Sequence, residues 1–151
     1  MSIKKPSPRF IIGSRHLGLT LLTSIKAYSS ILQKDVLGEI SDTNREALKV
    51  IIDCCETSWE CWSTLTEIIE QNEEDQILDI LYQADKSGKS YLERNFIQKS
   101  IASLEIAKKE ANRILEQAQK LTDEQNRFVT MIGKNCEHEI NVWKEIASYF
   151  S

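Results

Sequence analysis

Apolar residues recur along most of this chain at steps of three and four, the period of a helix with one buried flank. The first such segment covers about residues 14–34, with Leu17, Leu21, Ile25, Tyr28 and Leu32 as its core stripe. A loop around Gly38 follows. The second segment starts near Ser41 or Asp42, either of which can cap the first free amides, and Glu46 sits in its early turns. Its stripe is Leu48, Ile52, Cys55, Trp59, Trp62, Leu65 and Ile69. No strand produces that spacing.

Asn72 followed by Glu73, Glu74 and Asp75 reads as a new helix start, with a cap residue and then acids at the positive helix end. A short helix over 73–85 is expected, carrying Ile77, Ile80, Leu81 and Ala84 and stopping at Gly88. An uninterrupted second helix through Asn72 is the alternative. Ser90 and Glu93 have capping-box spacing, and so do Thr122 and Gln125. Between them runs Ile97, Ile101, Leu104, Ala107, Ala111, Ile114, Ala118 and Leu121, with a mean step near 3.5 that predicts coiled-coil-like packing. On this segment Glu105 with Lys109, and Glu116 with Lys120, stand in the favourable i,i+4 order. The last segment bears Val129, Ile132, Cys136, Ile140, Trp143, Ala147 and Phe150, and Gly133 inside it suggests a close helix approach. The expected fold is all-α: an antiparallel up-down four-helix bundle over 14–151, with a possible short extra helix, behind a basic tail at 1–13.

Composition supports this. The 151 residues include only two prolines, Pro6 and Pro8, and five glycines, which excludes collagen-like and Pro/Gly-rich chains. No run of 18 uncharged apolar residues occurs, so no transmembrane helix is expected. Four cysteines, Cys54, Cys55, Cys61 and Cys136, do not form a secreted disulfide framework. They read as reduced thiols in a cytoplasmic core. Residues 1–34 carry six basic groups, six serines and no acid, a composition shared with organellar transit segments.

Charge is segregated. Residues 35–85 carry a net −12 and residues 86–121 a net +4. Without a continuous basic face, no nucleic-acid partner is expected. Glu56, Glu60, Glu67, Glu70, Glu73 and Glu74 are the candidate partner-binding residues, offering an acidic face to a protein partner.

Each catalytic template lacks a part. Gly88-Lys89-Ser90 matches only the end of a phosphate-binding loop, since Gln83 holds the position that needs glycine. Di-iron bundles require Glu-x-x-His pairs, but Asn135 and Gly13 precede the two histidines at that spacing. A zinc set of Cys54, Cys61, Cys136 and His138 fails to converge, because Cys136 and His138 diverge by about 200° around a helix. The same divergence removes a Cys136–His138 nucleophile pair. Neither His16 nor His138 has the neighbours of a phosphotransfer histidine. Arg9 and His16 have the spacing of helical RNA-cleaving bundles, but they sit near the N-terminus, with Arg9 ahead of the first expected helix, and the pattern is short and unspecific.

Trp59, Trp62 and Trp143 read as core or interface anchors, with Ser58, Ser63, Thr66 and Glu139 available to their N–H groups. The leading expectation is therefore a non-catalytic helical interaction module that binds another protein and can self-associate as a homodimer. It needs no cofactor and no metal. The alternatives are a membrane-surface or lipid-binding bundle that uses basic residues 1–15, and a small helical enzyme or metal protein.

Overall fold

A computed structural model describes residues 7–117 and 120–148. Every regular element is helical: α1 Pro8–Gln33, α2 Asp42–Gln71, α3 Glu74–Leu81, α4 Gln98–Glu116 and α5 Asp123–Ala147. A π-helical turn, Glu93–Ile97, runs directly into α4. The described residues contain no strand, only an isolated bridge between Ala84 and Ser90. No described helix is long and apolar enough to cross a membrane.

The caps explain most of the boundaries. Ser7 accepts the Phe10 amide at 3.1 Å and Pro8 takes the first turn, where its missing N–H costs nothing. Hence α1 begins at Pro8, not near residue 14, and Ile11 is buried in the core. The expected tail over 1–13 is corrected for 8–13; residues 1–6 lie outside the described part. Ser41 caps α2 through the Asn44 amide. Asn72 is extended and closes α2, its side chain donating back to the Ile68 carbonyl, while Glu73 takes the N-cap position of α3. The break at Asn72 is real, but α3 ends at Leu81, short of residue 85. Thr122 and Gln125 form the expected capping box. Ser90 supplies half of one by accepting the Glu93 amide.

The four long helices pack in the cycle α1–α2–α4–α5–α1. Gln33 meets Arg45, Lys26 meets Glu56 and Gly18 meets Trp62 across α1 and α2. Lys108 meets Glu137 and Ala111 meets Gly133 across α4 and α5. The α1–α2 loop is tied at two places. Asp35, in the left-handed region at φ 58°, accepts the Ile40 amide and binds Arg45 with both carboxylate oxygens at 3.0 Å. Gly38, at φ 123°, offers its carbonyl to the buried Gln125 amide at 3.0 Å, which ties the loop to the start of α5.

Several expectations fail here. Ile80 is 37% exposed and Ala84 lies exposed beyond α3. Leu17 is 42% exposed, and Gly18 takes the inward position instead. A Cβ on Gly18 would stand 2.7 Å from Trp62 Nε1, so only glycine leaves room for the indole. Gly133 is not a close approach, because a Cβ there would meet nothing nearer than Ala111 Cβ at 3.9 Å. The Glu116–Lys120 pair loses its helical spacing because α4 stops at Glu116. The expected core positions Ala118 and Phe150 lie outside the described residues.

Gly18→Ala is expected to destabilise the fold by about 1–3 kcal/mol through overpacking. Gly133→Ala is expected to be neutral or to stabilise by up to about 1 kcal/mol, because a helical glycine is replaced without a clash. Urea unfolding of both variants distinguishes the two glycines.

Candidate functional site

The middle of the bundle is polar at one point. Trp62 of α2 and Trp143 of α5 are both fully buried and stack with ring centroids 3.9 Å apart and planes 26° from parallel. The two helices are not neighbours in the packing cycle, so the stack spans the bundle interior. Trp62 Nε1 donates to Glu139 Oε1 at 2.9 Å, and Trp143 Nε1 donates to Ser58 Oγ at 3.3 Å. Two of the four acceptors expected from the sequence, Ser58 and Glu139, thus serve. Ser63 is exposed, and the Thr66 hydroxyl donates to the Trp62 carbonyl.

Glu139 is itself fully buried, and its Oε2 has no hydrogen-bond partner among the described residues. Burial pushes its carboxyl up to about 7, against the opposing pull of the Trp62 and Trp143 N–H groups. Trp143 thus bonds to Ser58 while lying close enough to favour a charged Glu139. Sequence reading could propose Glu139 as a partner for an indole, but not as a titrating group. Its burial becomes visible only once α5 is oriented.

Cys54, Cys55, Cys61 and Cys136 are buried free thiols. Burial, the leading cause in each case, raises all four, and Cys136 reaches about 12. A thiol held protonated is a poor nucleophile. His138 is exposed while Cys136 faces inward, as their spacing requires. Among the described residues no group of three or more His, Cys, Asp or Glu is placed to hold a metal.

The acidic candidates form a second feature. Glu56, Glu60, Glu67, Glu70, Glu73 and Glu74 are all exposed. At about 100° per residue, the four on α2 fall within a strip about 80° wide. Glu56 lies 3.8 Å from Lys26. The other five have no ion-pair partner within 4.0 Å among the described residues. Glu73 and Glu74 belong to α3 and so continue the acidic surface past the break at Asn72.

Trp59 borders this strip and is 37% exposed, with Lys26 Nζ 5.9 Å from its ring centroid. It is not the core anchor its spacing suggests. Ser58, one position earlier, faces inward because the Trp143 indole fills the space opposite and needs a small acceptor. Comparison with protein-family models, curated proteins and solved structures finds no match to the chain.

The raised Glu139 carboxyl fixes the sign of a pH effect. The unfolded chain loses this proton near 4.5 and the folded chain near 7, so stability falls as pH rises between those values. The loss amounts to about 3 kcal/mol. Unfolding midpoints of the wild type are expected to drop over this range relative to Glu139→Gln. Parallel pH dependence in the two proteins would contradict the assignment. Ser58→Ala is expected to cost about 1–3 kcal/mol by leaving the Trp143 N–H without its acceptor.

Proposed function

We propose that the chain is a non-catalytic helical module that binds a basic protein surface through the outer face of α2. The observation that carries this reading is the exposed Trp59 beside a row of exposed acids, of which Glu60, Glu67 and Glu70 have no ion-pair partner among the described residues, on a helix whose inner face is committed to the core. Large aromatics bordered by charge are enriched where interfaces concentrate their binding energy. The acids supply steering and choice of partner. Glu67, Glu70, Glu73 and Glu74 extend the surface toward the α2–α3 junction, so the partner is read as a basic segment lying along α2.

The architecture that presents this face is read as an up-down four-helix bundle. Residue numbers fall on one helix as they rise on its neighbour at the α1–α2 and α4–α5 contacts, as antiparallel packing requires. The α4 stripe from Ile97 to Ile114 keeps the coiled-coil-like spacing, with Leu104, Ala107 and Ala111 buried. Reduced buried thiols suit a cytoplasmic setting.

The membrane-surface alternative loses two of its three apolar residues, because Ile11 is core and Phe10 packs against the core, while Ile12 stays partly exposed. Lys4 and Lys5 lie outside the described residues.

The test begins with a photo-crosslinking residue in place of Ser63, which is exposed within the same strip of α2, to identify the bound protein. Binding of that purified protein is then measured against variants. Combined Glu60→Lys, Glu67→Lys and Glu70→Lys is expected to weaken binding at least tenfold and to flatten its salt dependence. Trp59→Ala is expected to weaken it by a similar factor, with the helical circular dichroism unchanged. Unaltered affinity in both variants removes the proposal. Crosslinking to a second copy of the chain would identify the partner as self.

A further inference from the structure

The buried carboxyl at the centre of the bundle has an arrangement of donors that a purely structural hydrogen bond does not need. Glu139 Oε1 is engaged by Trp62, while Oε2 is enclosed and has no hydrogen-bond partner among the described residues. The Trp143 N–H, the only other indole donor in the stack, makes a long 3.3 Å bond to Ser58 Oγ. One donor therefore lies between two acceptors, a neutral hydroxyl and a carboxyl that can become charged.

We propose that Glu139 is an internal proton-binding switch: on losing its proton to bulk water, the carboxylate draws the Trp143 N–H from Ser58 Oγ onto Oε2. The cross-bundle contact between α2 and α5 then exists in two hydrogen-bonded forms, with the Trp62 bond common to both.

Among the described residues no counter-ion competes with this exchange. The titratable groups facing Glu139 are Cys55 on α2 and Cys136 on α5, with Cys54 close to both thiols. All three thiols are held protonated by burial, so none supplies or repels charge near neutral pH. On α1 and α4 the charged groups bearing on those thiols are Glu110, which faces Cys54, and the two lysines Lys26 and Lys108. Both lysines are surface residues, 38% and 40% exposed, and they sit beside Glu56 and Glu137 respectively. His138, next to Glu139 on α5, is exposed and faces away. An unpaired charge enclosed at this point must collect whatever donors it can reach. Those donors are the two indoles. A charge-assisted bond to the carboxylate is stronger than one to a serine hydroxyl, so ionisation favours the exchange.

The test follows the three indole N–H resonances of the 15N-labelled protein from pH 5 to 8.5. The Trp62 and Trp143 signals are expected to move together with a midpoint near pH 7, while the exposed Trp59 signal stays in place. Glu139→Gln should abolish both movements, and His138→Gln should leave them intact. A Trp143 signal that stays fixed overturns the proposal. So does movement that persists in Glu139→Gln or vanishes in His138→Gln. Should Glu139→Gln fail to fold, 13C-labelled glutamate in the wild type decides. One carboxyl carbon that titrates with the indole midpoint supports the switch, and its absence overturns it.

Discussion

The structure depends on accommodating two stacked indoles, together with a carboxyl, in the middle of a narrow helical core. Trp62 and Trp143 meet across the bundle at 3.9 Å, and every helix that surrounds them must yield volume. Helix α1 does so with Gly18, against which the Trp62 ring lies. Helix α2 does so with Ser58, which also receives the Trp143 N–H. Helix α4, in register with α5 through Lys108–Glu137, comes level with the stack near the small and fully buried Ser100, which lies beside Cys61. Large residues on two helices therefore dictate small ones on the others, as close-packed interiors require.

That reciprocity explains what the sequence discloses and what it hides. The apolar stripes of α4 and α5 can be read directly, since Leu104, Ile114, Val129, Ile132, Cys136 and Ile140 are all buried, but the buried polar positions Ser100, Gln125 and Glu139 cannot. The caps at Ser41 and Thr122 can be read as well, since capping needs a specific side chain at a specific offset. On α1 and α2 a hydrophobicity reading slips by one residue. It selects Leu17 over Gly18 and Trp59 over Ser58, placing large residues where the opposite helix has already filled the space, and it selects Ile52 over Ile51, a choice between like residues that composition cannot make. No local pattern reveals what stands across the bundle. The helix start at Pro8 was visible in principle, because serine followed by proline is a helix-start signal, but the basic composition of the segment drew it into the tail.

The same geometry separates the inner and outer roles of α2. Its inward residues, from Leu48 through Cys55, Ser58 and Trp62 to Leu65, are fully used by the fold. Its acids lie outside and make little contribution to holding the fold together, since an exposed pair such as Lys26–Glu56 is worth well under 1 kcal/mol. Exposing a tryptophan beside the row has a cost in solubility that a partner's surface would remove. The failed catalytic templates fit this division, because the candidate nucleophile Cys136 points inward and its candidate base His138 points outward.

The polar centre is also an expensive choice, and the alternatives show what it achieves. A core of leucines at these levels would be at least as stable, since replacing buried polar groups with well-packed apolar ones is often neutral or better. It would also tolerate sliding of α5 against α2, because leucine contacts are nearly interchangeable along a stripe. Here a slip of one turn would separate Trp62 from Glu139 and Trp143 from Ser58 together. It would leave two indole N–H groups and a carboxyl enclosed without partners, at about 1–3 kcal/mol for each neutral donor and more for a charge. The penalty falls on every register but one. The stability given up at Glu139 thus fixes which residues of α2 face α5, and with them the direction in which Trp59 and the acids point outward.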